Sequence, residues 1–189
     1  MANRARTRLD HLTLAGLDPQ DHIATNFRVY ELSRCEVAAR LGIDNALPDD
    51  QLLRAAVQLV REVMQPIRDA HGRFSPISLY RCQALERVLK KSPPDWISLS
   101  PHTGGWACDL RIPGLTTLAL AQWASTHLPV FDEVCCECVD PDLGPSSGWV
   151  HIALRPAALG PNRAQLRSQI RDRRNGRWVI VEELQDQIA

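Results

Sequence analysis

Three residues able to ligate a cation, His102, Asp109 and His151, sit in or beside short apolar runs of a 189-residue chain. Asp109 lies within Ala107-Cys108-Asp109-Leu110, where an unpaired carboxylate is expensive to bury. A divalent cation satisfies such a carboxylate, and the two imidazoles supply borderline-soft nitrogens. Two histidines and one carboxylate, with a fourth position left open, form a pattern for catalytic zinc. Each residue taken singly has a plainer reading. A strand histidine also serves as a hydrogen-bonded structural residue, and an aspartate in an apolar strand also pairs with arginine.

Strands must position these groups, because alternate side chains share a face. On WACDLRI (106–112) alternation puts Ala107, Asp109 and Arg111 together. On GWVHIAL (148–154) it puts Trp149, His151 and Ala153 on one face and Val150, Ile152 and Leu154 on the core side. On FDEVCCECV (131–139) it puts Glu133, Cys135 and Glu137 opposite Val134, Cys136 and Cys138. PISLY (76–80) reads as a further short strand and RWVIVEEL as another near the end.

Helical spacing predicts a segment from Thr25 or Asn26 to Gly42. A clearer one is capped by Asp49 or Asp50, tightened at Pro66 and stopped by Gly72. CQALERVLKK, Thr116 to Leu128 and NRAQLRSQIRDRR complete the helices. Strands and helices mix without strict βαβ alternation. The fold class expected is therefore α+β, a small antiparallel sheet carrying the site and flanked by helices. The boundaries expected are a loosely attached arm at 1–21, the main domain at 22–155 and an extension at 156–189 packed on that domain.

The 22 basic and 22 acidic residues cancel, so no global positive field argues for nucleic acid. No apolar run approaches the roughly 20 residues of a membrane span. The N-terminus has no secretory apolar region, which predicts a cytoplasmic start, with release by lysis if the protein is of phage origin. Six cysteines without such a signal read as free thiols. Cys135, Cys136 and Cys138 lack the paired spacing of a zinc clip and are expected as buried strand residues. His11, His22, His71 and His127 read as surface or packing residues.

SPHTGGWACD fits Ser-x-His-x-x-Gly-x-Ala-x-Asp, and GWVHI fits Trp-x-His, in that order. Together they resemble the zinc D-Ala-D-Ala carboxypeptidases and related phage murein endopeptidases. NFRVYEL, GIDNALP, VMQPIRDAHG and ISLYRCQAL resemble further motifs of the same family, so the likeness covers about residues 22–155. It implies Zn2+ held by His102, Asp109 and His151. It also implies a substrate pocket with Tyr80, Arg81, Ser100 and Trp149, Arg81 binding a terminal carboxylate or the developing oxyanion. The plainer reading of Arg81 is a structural ion pair.

For the general base the family strand before Trp-x-His points to Glu137, with Glu133 and Asp140 behind it. Some relatives place a Glu three positions before the last histidine, where this chain has Gly148. Leu79 stands where the motif has Gly, Glu86 where it has Asn, and VLKKSPPDWISL replaces a short Gly-Gly-Ser loop. The activity implied is hydrolysis of D-amino-acid-containing peptides by metal-activated water. The partner implied is a peptidoglycan peptide or a small D-amino-acid peptide. The alternatives are a cytoplasmic biosynthetic metalloenzyme with the same zinc site and an altered pocket, and a non-catalytic zinc-holding phage or structural module.

Overall fold

The computed structural model describes residues 1–187. The fold is α+β, with a five-stranded mixed sheet of order β1-β3-β2-β4-β5. The strands are β1 (Ala107–Leu110), β2 (Glu133–Val139), β3 (Trp149–Ala153), β4 (Gln165–Arg171) and β5 (Trp178–Val181). The helices are α1 (Glu36–Leu41), α2 (Asp50–Leu59), α3 (Gln65–His71), α4 (Gln83–Lys90) and α5 (Thr117–His127). The chain divides into two compact units. One unit is Met1–Gln65 with Ile77–Cys108; the other is Pro66–Pro76 with the described chain from Asp109 on. Among the described residues no helix is long and apolar enough to cross a membrane.

In the first unit, α2 starts where Asp49 accepts a hydrogen bond from the Leu52 amide, as an N-cap should. The helical run then widens into one π turn, Val60–Met64, before continuing as α3. Pro66 supplies the cause, since it has no N–H to give and its ring crowds the carbonyl one turn back. The N-terminal segment is tied down, not loose. Arg61 donates to the carbonyls of Arg4, Thr7 and Ile23, and Leu12 is buried.

Two expected elements fail here. The helix over residues 25–42 is reduced to a 3-10 turn at Val29–Leu32 and the short α1. Residues 76–80 make only a bridge at Ser78, because the chain there spends its backbone groups on other partners. The Tyr80 amide bonds to Leu32, and the Leu79 carbonyl accepts from His102.

In the second unit one face of the sheet is core. Val134, Cys136, Val150, Ile152, Ser168 and Ile170 are buried, and α5, capped by Thr116, packs on β2 and β3. β2 runs antiparallel to β3 but parallel to β4, so the sheet is mixed where an antiparallel one was expected. The predicted helix at 162–174 is in fact β4. Its glutamines and arginines favour a helix locally, yet Leu166, Ser168 and Ile170 alternate with Gln165, Arg167, Gln169 and Arg171. Pairing with β2 enforces that two-residue period.

The same pairing corrects Cys138. The register slips between Cys136 and Val139, Cys138 takes φ 53°, and Val139 enters the core in its place. This is a β-bulge, which re-aims the side chains that follow it.

Candidate metal centre

His102 is set by a turn that begins with Ser100. The Ser100 hydroxyl accepts the His102 amide, Pro101 opens a 3-10 turn and Gly105 closes it at φ 72°. A methyl group at Gly105 would lie 3.0 Å from the Leu52 carbonyl, so the glycine answers both conformation and space. The His102 Nδ1 lies 2.6 Å from the Leu79 carbonyl oxygen. A carbonyl only accepts, so Nδ1 carries the hydrogen and Nε2 the lone pair. Ligating histidines are commonly oriented in this way. Leu79 serves as well as the expected glycine, since it has no positive φ and its side chain is buried.

Asp109 and His151 come from β1 and β3, which are neighbours in the sheet. The Asp109 Oδ1 lies 3.0 Å from the His151 Nδ1, and both side chains are buried. The ligating atoms of His102, Asp109 and His151 all lie within 4.8 Å of one another. Two imidazoles and one carboxylate, buried at this spacing, form a group that could hold a divalent cation. The three ligands expected from the sequence are thus brought together.

Burial lowers the pKa of His151. The hydrogen bond and charge of Asp109, with the charges of Glu137 and Glu133, outweigh this, and the net shift is upward. In the metal-free protein the pair therefore stabilises the fold below the ordinary histidine pKa of about 6.5. That contribution is lost as pH rises through the higher folded-state value. A cation must displace this proton. Its apparent affinity should therefore fall on acidification, by up to about tenfold per pH unit, starting from a higher pH than an ordinary histidine would dictate. Zinc titrations between about pH 5.5 and pH 8.5 read this directly, and a flat profile would contradict it.

The face carrying His151 also holds the candidate bases. Cys135 pairs with His151, Glu137 with Trp149 and Glu133 with Ala153, as the alternation predicted. The Trp149 indole donates to Glu137 at 2.9 Å. The two other acids are engaged by arginines. Glu133 lies 3.7 Å from Arg163 and 3.6 Å from Arg167, and Asp140 lies 3.0 Å from Arg171. Glu137 is left with a single neutral donor among these contacts.

Gly148 leaves no room for a carboxylate three positions before His151. It has φ 71°, and a methyl group there would lie 2.1 Å from the Glu137 carbonyl oxygen. No side chain fits, a glutamate included. Gly148→Ala should cost at least about 2 kcal/mol by strain and displacement of β2, read as a shifted denaturation midpoint. An unchanged midpoint would mean that β2 yields freely.

Arg81 sits between β-bridge residue Ser78 and α4. Its Nε donates to the Ser78 hydroxyl at 2.7 Å and its Nη1 to the fully buried Glu86 at 3.2 Å. Ser98 donates a further hydrogen bond to Glu86 at 3.0 Å. The Arg81 amide bonds to the His102 carbonyl, so arginine and ligand turn are held by one backbone contact. Sequence reasoning saw Glu86 only as a departure from a motif; its burial beside Arg81 is what gives it a task. Tyr80 is buried, and its backbone carbonyl accepts from Asn45.

Among the described residues, the group whose ligating atoms come together holds no cysteine. Burial raises Cys135 above the ordinary thiol range and pushes Cys136 up to about 11. His71 and His127 pack on Trp123, edge-on and stacked. Compared with models of protein families, with characterised proteins and with solved structures, the chain matches none of them. The functional reading therefore rests on the centre and on the ordered motifs around it.

Proposed function

We propose that the protein is a zinc-dependent hydrolase of the D-Ala-D-Ala carboxypeptidase or murein peptidase type. The observation that carries this reading is the buried His102–Asp109–His151 group with its ligating atoms within 4.8 Å of one another. When bound there, zinc supplies a Lewis acid for the scissile carbonyl and lowers the pKa of water toward about 7.

The chain's own residues supply the rest. His102 is locked by Leu79 in the tautomer that offers Nε2. Glu137, steadied by Trp149, takes a proton from the attacking water and passes it to the leaving amine. The amide C–N bond breaks, the hydroxyl stays on the carbonyl carbon and the amine leaves with the proton. Arg81, held by Ser78 and Glu86, is a fixed fork for a terminal carboxylate or the oxyanion. Ser100 acts through the His102 turn that it caps.

One observation favours a second reading. Glu86 neutralises part of the Arg81 charge, which suits a cytoplasmic biosynthetic metalloenzyme with an altered pocket and a less anionic substrate. The zinc-loaded protein, given a peptide ending in D-Ala-D-Ala and its C-terminal amide, distinguishes the two. Release of D-alanine, with preference for the free carboxylate, is the expected result. Full zinc occupancy with cleavage of neither peptide nor of murein would overturn the peptidase reading and leave the altered-pocket or non-catalytic one.

A further inference from the structure

Within the first unit a cavity of about 730 Å³ opens beside the N-terminal segment. Arg6, Arg61 and His22 line it together with Asn3 and Thr25, and no carboxylate is among its lining residues. The two neighbouring arginines each have an acid: Arg4 pairs with Asp21 at 3.0 Å and Arg8 with Asp10 at 2.9 Å. Arg6 and Arg61 have none among the described residues. Arg61 is the sharper case. Its Nε, Nη1 and Nη2 donate to the carbonyls of Ile23, Thr7 and Arg4 at 2.8, 2.7 and 2.7 Å. Those bonds use three of its five N–H donors and tie the N-terminal segment to the π turn. A carbonyl carries no net charge, however, so the cation is left uncompensated, and burial draws its pKa below the ordinary arginine value. Asn3 Oδ1 accepts from the Ala5 amide, which leaves the Asn3 Nδ2 hydrogens for the cavity.

We propose that this cavity binds a small phosphate monoester, with Arg6, Arg61 and His22 holding the phosphate and Asn3 and Thr25 meeting a hydroxylated body. Two guanidinium groups with no acid between them call for a dianion. A tetrahedral phosphate also has enough oxygens to accept from both forks at once. The volume lies within the roughly 300–1,000 Å³ of organic-ligand sites, more than a free phosphate needs. The positive charge stops at the cavity, because Asp10 and Asp21 neutralise the arginines on either side. That favours a small ligand over a nucleic acid, whose backbone needs a continued run of cations. Arg6 and Asn3 lie in the N-terminal segment and Arg61 in the helical run, so the ligand would close one against the other. None of these residues belongs to the candidate metal centre, and the proposal stands apart from the peptidase reading.

Calorimetric titration of the full chain with ribose 5-phosphate, inorganic phosphate and ribose, at constant ionic strength, tests this. Ribose 5-phosphate should bind with a Kd below about 1 mM, inorganic phosphate about tenfold more weakly and ribose not measurably. Arg6→Glu should weaken ribose 5-phosphate by at least about tenfold, and Arg6→Lys should recover part of the loss. Arg6 is exposed, so these variants should unfold at the parent's temperature without ligand. His22→Asn provides a second reading from another wall. His102→Ala should bind as the parent does, which separates the cavity from phosphate held on a metal at the candidate centre. Absence of ribose 5-phosphate binding by the parent, equal binding by Arg6→Glu, or its loss in a folded His102→Ala would each overturn the proposal. So would inorganic phosphate binding as tightly as the ester, or a single-stranded RNA oligomer binding more tightly than either.

Discussion

The purified protein is expected to carry about one zinc per chain, and His102→Ala, Asp109→Ala and His151→Ala are each expected to lose it. The expected effect is large because, among the described residues, the group offers three ligating side chains. Each substitution leaves two donors, and the affinity should fall by at least about 10²-fold. Asp109→Ala is the most informative of the three. It removes the carboxylate that His151 contacts at 3.0 Å, so the imidazole loses that hydrogen bond and the largest of the contributions that raise its pKa. His102→Ala should spare that pair and fail by losing one nitrogen alone. Metal analysis after dialysis against a weak chelator reads the stoichiometry. Full occupancy in all three variants would refute the assignment of the centre.

Glu137→Gln should keep zinc and fold while hydrolysis falls by roughly 10²–10⁴-fold in kcat. The amide fills the same space and still accepts a hydrogen bond from the Trp149 indole, so the strand pair β2–β3 is undisturbed. What disappears is the ability to take a proton. Glu133→Gln and Asp140→Asn provide the comparison, since both parent carboxylates are paired with arginines and their loss should act on stability more than on kcat. A Glu137→Gln protein as active as the parent would move the base to one of these two acids.

The candidate ligands Asp109 and His151 were legible in the sequence because each sits in a short strand whose two-residue period is visible in its apolar neighbours, whereas His102 lies in a 3-10 turn and was read from the motif around it. Val150 and Ile152 flank His151, and Cys108 and Leu110 flank Asp109; all four are buried. The placement of Glu137 was legible for the same reason, since strand alternation decides a face without reference to the rest of the chain.

Three features needed the tertiary structure. The segment of β4 reads as helix from its own residues, and only pairing with β2 selects the strand. Cys138 leaves the alternation because a bulge, a property of two strands together, shifts the register after Cys136. Gly148 looked like a missing base and proves to be a place where no side chain fits, because the Glu137 carbonyl lies against it. Local pattern decides which way a side chain points along its own element. Which strand lies alongside, and how closely two backbones approach, are set by contacts between residues distant in the chain, and no window of the sequence contains them.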